Sequence, residues 1–258
     1  MRISTVATAL LALIPVALVT PSAHATVGGS SDIKLQNVTV NGGKDIVVGT
    51  TTKTISVSIT ASAPSGIKNV SLVLFHGTHL NTSPYDGVLN PTTNQADCRV
   101  VNAATSTCKE TVSGIPVLLT NATAGTWQVY VVAYAKNGEH AYSDPFSSVR
   151  ILRNSRLTVK PSPKPVRKGK TVTVTGKLTR ASWWDHLEYH GYTGRPVKLQ
   201  FRKRGTSTYT TVRTTYSDSH GNLKSTAKAT VDGYWRYYFA GTSTTPAVKA
   251  AGDYVDVR

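Results

Sequence analysis

Apolar and polar residues alternate in short runs along most of this chain, and the runs are separated by Gly, Asn, Asp and Pro. A period of two places one face of a strand inward and the other in solvent. Trp127, Val129, Val131 and Ala133 carry the cleanest example. The first half of the chain predicts strands over Ile33–Val40, Lys53–Thr60, Lys68–Phe75, Glu110–Leu119, Gly125–Ala135 and Phe146–Leu152. The stretch from His76 to Thr107 lacks the pattern and reads as an elaborated loop. No helical periodicity persists beyond the N-terminal segment.

A linker is expected near Arg153-Asn154-Ser155, followed by a strand at Leu157–Lys160 that a Pro cluster (Pro161, Pro163, Pro165) confines to a sheet edge. Val172, Val174 and Leu178 then alternate with polar residues, as do Val197, Leu199 and Phe201. Further strands are predicted at Tyr209–Thr215, Asn222–Ala229, Gly233–Ala240 and Asp253–Val257. About seven short strands in about a hundred residues is the pattern of an immunoglobulin-like sandwich. The expected fold is all-β, with two immunoglobulin-like sandwiches in tandem over residues 26–153 and 154–258.

The N-terminus departs from this pattern. Arg2 precedes an apolar run from Val6 to Val19, and Ala23 and Ala25 supply the spacing of a signal-peptidase site. Residues 1–25 therefore read as a cleaved signal peptide, because the run falls short of the ~20 apolar residues of a membrane-spanning helix. No Cys follows the run, which argues against a lipoprotein, and the last residues carry no hydrophobic tail or wall-sorting signal. A secreted, extracellular protein without a transmembrane segment is expected, with association to the cell wall as one fate. Cys98 and Cys108 are the only cysteines. Outside the cell a pair so close in sequence predicts a disulfide.

Charge separates the two halves. Residues 155–258 hold 19 Lys+Arg against 6 Asp+Glu, whereas residues 26–154 hold 9 against 7, within a formal net charge of +16. A surplus concentrated in one domain suits an anionic neighbour. Lys198 and Arg202 alternate out of a strand whose apolar residues point inward, Lys203 and Arg204 extend that row into a turn, and Arg167, Lys168 and Lys170 form a second cluster. The competing reading is a surface that only resists aggregation.

Residues 157–258, with LTVKPSPKPVRKGKTVTVTGKLTRASW, GYTGRPVKLQFRKRG and DGYWRYYFAGTSTTPAV, resemble the C-terminal module of small secreted proteins of Streptomyces and other actinobacteria. The first domain, with GTTTKTISVSITASAPSGIKNVSLVLFHGT and the CRVVNAATSTC loop, resembles the domain that often precedes it. The family is mostly uncharacterised; some members carry a calcium-binding label, and no catalytic residues come with the resemblance. The segment Asp218-Ser219-His220-Gly221-Asn222 is the nearest local group to a calcium loop, but its spacing reads as a strand-connecting turn.

Two further candidate sites follow. Asp185, His186, Glu188 and His190 offer imidazole and carboxylate ligands suited to Zn, Cu or Ni, within a segment that also reads as a solvated loop. Trp183, Trp184, Tyr234 and Tyr238 offer flat faces for glycan stacking, and alternation puts Tyr234, Arg236 and Tyr238 on one face with Trp235, Tyr237 and Phe239 on the other. No nucleophile elbow or other catalytic constellation is present, so neither a catalytic residue nor a cofactor is expected. The expected function is non-enzymatic: binding, or association with the cell envelope, through the basic second sandwich on an anionic polymer. No groove-entering or base-stacking module points to specific nucleic acid. The alternatives are a metal-binding protein or enzyme centred on residues 185–190, and a structural or inhibitor-like protein that engages a secreted partner protein.

Overall fold

A computed structural model describes residues 26–81, 84–114, 116–185 and 187–258; the expected signal peptide and His186 lie outside them. The first half contributes β1 (Thr26–Gly29), β2 (Lys34–Val40), β3 (Ile46–Val48), β4 (Lys53–Ser62), β5 (Ile67–Gly77), β6 (Tyr85–Leu89), β7 (Asp97–Val100), β8 (Thr105–Gly114), β9 (Gly125–Ala135) and β10 (His140–Arg153). They form two sheets. One runs β2-β4-β8-β7, and the other β1-β10-β9-β5-β6 with β3 added parallel to β10. The first order is the A-B-E-D sheet of an immunoglobulin fold, and β10-β9-β5-β6 supplies its G-F-C-C′ partner.

The second half contributes β11 (Ser155–Leu157), β12 (Lys160–Ser162), β13 (Thr171–Ala181), β14 (Tyr189–Gly191), β15 (Pro196–Lys203), β16 (Thr210–Tyr216), β17 (Asn222–Lys228), β18 (Gly233–Phe239), β19 (Val248–Lys249) and β20 (Asp253–Val255). Here β11, β12, β14 and β17 pair with the long β13, while β16-β15-β18 continues onto β19 and β20. Val166 bridges Val257 in parallel, as the A′ segment of an immunoglobulin domain meets its last strand. The sequence reading of an all-β tandem of immunoglobulin-like sandwiches is the observed architecture.

Period-two burial explains both cores. Ile55, Val57, Ile59 and Ala61 of β4 face Trp127, Val129, Val131 and Ala133 of β9 in the first; Val172 and Val174 of β13 face Trp235, Tyr237 and Phe239 of β18 in the second. The Trp127 indole N–H is satisfied by the Thr123 carbonyl at 2.6 Å. Cys98 and Cys108 are bonded, as expected, but as neighbours on β7 and β8 within one sheet. The bridge therefore staples an edge strand and leaves the two sheets to be held by packing.

Two expectations need correction. The His76–Thr107 stretch is no simple loop, since it holds β6 and β7, and Leu89 and Ala96 enter the core. Edge strands are held by backbone pairing along one side, so their side chains need no strict alternation and leave a weak pattern. Trp183 is the second correction. It is 2% exposed and packs into the core of the first sandwich, although it belongs by sequence to the second.

Trp183 is the centre of the domain junction. Its indole N–H reaches the Gly49 carbonyl at 3.1 Å, and its backbone N–H reaches Asn121 Oδ1 at 2.9 Å. Asn121 Nδ2 in turn donates to the Ser182 hydroxyl at 3.2 Å. Asn154 N–H bonds the Val48 carbonyl and Ala181 N–H bonds the Asn154 carbonyl, each at 2.8 Å. The passage from β10 to β11 is thus one residue long and bonded on both sides, which couples the two sandwiches.

Candidate anion-binding face

The outward face of β15 and β18 is built by alternation on two paired strands. Val197 and Leu199 point inward with Trp235, Tyr237 and Phe239, which leaves Lys198, Gln200 and Arg202 outward on β15 and Tyr234, Arg236 and Tyr238 outward on β18. Register sets Lys198 opposite Tyr238, Gln200 opposite Arg236 and Arg202 opposite Tyr234. On the far side of β18, Tyr254 lies opposite Tyr234, and Lys249 opposite Tyr238. Tyrosines therefore flank Arg236 along β18, and Lys198 and Lys249 flank Tyr238 across the sheet.

These pairs touch. The Arg236 guanidinium stacks on the Tyr209 ring at 3.7 Å and donates from Nε to Gln200 Oε1 at 2.9 Å. Arg202 stacks on Tyr234 at 4.1 Å and also donates to the Thr206 carbonyl. Lys249 stands 5.6 Å from the Tyr238 ring, and the Tyr234 and Tyr254 rings are 5.3 Å apart. Stacking holds a guanidinium in place without neutralising it. Among the described residues, Lys198, Arg202, Arg236 and Lys249 form no ion pair with a carboxylate. Successive outward residues lie about 6.7 Å apart along a strand and neighbouring strands about 4.8 Å apart, so the cations form a flat, closely spaced array.

The second basic cluster lies at one tip of the same sandwich. Lys168 N–H bonds the Arg258 carbonyl at 2.6 Å, Gly169 N–H the Ala229 carbonyl at 2.7 Å and Arg204 N–H the Asp232 carbonyl at 3.0 Å. Arg167, Lys168 and Lys170 thus share an end with Lys203, Arg204 and Lys228. Two acids temper this tip: Asp232 lies 3.8 Å from Arg204, and Asp256 lies 2.8 Å from Arg258. The Val257 N–H is the main influence holding the Asp232 carboxyl below its ordinary range; burial opposes it, and the Tyr254 hydroxyl and Arg204 add smaller lowering effects. The tip is opposite the domain junction, because β13 begins at one and ends at the other.

The remaining sequence candidates are distributed differently. Trp184 is 79% exposed, but it follows β13 at the junction, on the opposite sheet from Tyr234 and Tyr238. The four aromatic residues therefore do not form one platform, and Tyr234 and Tyr238 already carry a cation on their rings. Asp185 Oδ2 and His190 Nε2 are 3.3 Å apart, and Glu188 N–H bonds the Asp185 carbonyl at 3.3 Å. Among the described residues no three His, Cys, Asp or Glu side chains converge as metal ligands, and His186 is not among them. The Asp218 carboxylate accepts the His220 and Asn222 N–H groups at 2.8 and 2.7 Å, which closes a turn between strands. Tyr209, Lys249 and Tyr254 escaped the sequence reading. Their segments lack a long alternating run; the register of β18 brings Lys249 and Tyr254 to the face, and the β15–β16 hairpin brings Tyr209 there.

A family model described as a family of unknown function, DUF5707, matches residues 46–133, within the first sandwich. No curated protein sequence matches the chain. Among solved structures, dimeric latent PorU from Porphyromonas gingivalis matches at 12% identity and a TM-score of 0.30, over 93% of this chain and 21% of that one. The chain thus spans about a fifth of that protein. The D00-D0 domain of intimin matches at 13% identity and TM-score 0.28, over 85% and 99% of the two chains. The adhesin InvE from Yersinia pseudotuberculosis matches at 11% and 0.27, over 88% and 60%. Likenesses this distant carry no functional argument, and the fold rests on the strand order. No helix among the described residues is long and apolar enough to cross a membrane.

Proposed function

We propose that this chain is an exported, non-enzymatic binding protein whose second sandwich contacts an anionic extracellular polymer, such as a teichoic acid or acidic capsule, at the cell envelope. One observation carries the reading: Arg202, Arg236 and Lys249, held against tyrosine rings, share one face with Lys198, all four without carboxylate partners among the described residues. A face built only for solubility has no need to stack its cations into a fixed array, whereas a repeating polyanion meets such an array at several points at once. The first sandwich, coupled through Trp183, contributes spacing or partner specificity. Retention on isolated cell walls tests this. The mature protein should bind walls at low salt and elute as salt rises, because each phosphate-type contact releases counterions. The double variant K198E/R202E should lose retention while keeping its thermal midpoint. Retention that is indifferent to salt, or unchanged in that variant, would refute the proposal.

A further inference from the structure

The domain junction holds a second concentration of positive charge, buried where the face above is open. Arg153, the last residue of β10, is 7% exposed, and its Nε donates to the Ala181 carbonyl at 2.7 Å. Arg180 stacks on the Tyr192 ring at 3.9 Å and donates from Nη1 to the Thr245 hydroxyl at 3.3 Å. Arg195 approaches the same ring at 4.8 Å. Thr242 adds a hydroxyl 3.5 Å from the Tyr192 hydroxyl. Among the described residues, none of the three arginines has a carboxylate within ion-pair distance. The terminal nitrogens of Arg153 donate to no protein acceptor there, and neither is sealed from solvent. Burial and then Arg180 lower the Arg153 pKa to about 10, and burial likewise lowers that of Arg180, with Tyr192 opposing both shifts.

Thr242 and Thr245, which lie within hydrogen-bond distance of Tyr192 and Arg180, also line a cleft of about 400 Å³ between the domains; the three arginines are not among its lining residues. The one carboxylate lining it is that of Asp45, which Arg150 engages through two bonds of 2.9 and 2.5 Å. Clustered, desolvated cations are unfavourable unless an anion joins them, and guanidinium forks with hydroxyl donors match a tetrahedral oxyanion. We infer that the junction of Arg153, Arg180, Arg195 and Tyr192 is a binding site for phosphate or sulfate, free or as an ester, which couples ligand binding to domain docking.

The test is the thermal midpoint of the mature protein in sodium phosphate, sodium sulfate or glycerol phosphate, each against chloride at matched ionic strength. Because such salts stabilise many proteins weakly at high concentration, the readout is a saturable rise of a few degrees at millimolar anion. Either source supports the site, and the one saturating lower identifies the ligand. The rise should vanish in R180M and in R195Q, and persist in K198E/R202E. R195Q alters a partly exposed residue, so it reports even if R180M does not fold. Equal midpoints in chloride and oxyanion, a rise that survives R195Q, or one that disappears with K198E/R202E would overturn the inference.

Discussion

Glu110 is the sharpest place to test the energetics of this fold. It occupies an inward position of β8, 5% exposed, where alternation calls for an apolar residue. Oε2 accepts the Leu72 N–H of β5 at 3.1 Å, and Oε1 is buried without a partner among the described residues. Burial raises its pKa from 4.5 to about 7, with the Leu72 amide and Ser71 hydroxyl opposing the rise. The folded state thus holds its proton more tightly than the unfolded chain does. Stability from this group is fully present below pH 4.5 and is lost as pH climbs through 7. With one pKa unit worth about 1.4 kcal/mol, the loss between pH 5 and pH 8 is about 2–3 kcal/mol.

E110Q keeps the shape and an acceptor for Leu72 but cannot ionise. Its amide nitrogen, left without an acceptor, costs about 1–3 kcal/mol at every pH. Urea denaturation followed by tryptophan fluorescence at both pH values, in wild type and variant, isolates the Glu110 contribution because the other titrating groups cancel. Wild type should lose about 2–3 kcal/mol more than E110Q on going from pH 5 to pH 8. A stability difference between the two proteins that does not change with pH would show that Glu110 remains ionised in the core, and the reasoning would fail.

Other residues give independent checks. W183A removes a large buried side chain and the bond to Gly49, so it should destabilise by about 3–5 kcal/mol and split a single calorimetric transition into two; an unsplit transition would mean the sandwiches are coupled by other contacts. Replacing Cys98 and Cys108 together by Ala should lower the stability of the first sandwich by about 2–3 kcal/mol, from the chain entropy of a short loop, with the second sandwich unaffected. A fall of less than about 0.5 kcal/mol on denaturant titration would contradict that estimate. R236Q should weaken wall retention like loss of Lys198, since Arg236 shares its face, whereas R213Q, on the edge strand, should leave it unchanged; equal losses would indicate a diffuse charge effect.

The sequence by itself determined the strand-rich class, the alternating strands that build most of both cores, and the sidedness of the key strands. Those follow from a local rule: alternate residues on a strand face opposite ways, so Lys198 and Arg202 had to point away from Val197 and Leu199, and Arg236 away from Trp235 and Tyr237. Pairing of Cys98 with Cys108 was legible for the same reason of proximity. Register and docking were not, because they depend on contacts between residues far apart in the chain. Only the tertiary structure set Arg202 against Tyr234 and laid Tyr209 over Arg236, which turned scattered cations into one array. It also gathered Arg167–Lys170 and Lys203–Arg204 at a single tip, and it took Trp183 from a surface loop into the other domain's core. An indole beside a strand end looks the same in sequence whether it meets a sugar, water or a neighbouring sandwich. Which of these it meets is decided by the one-residue joint at Asn154, which holds the two domains in contact.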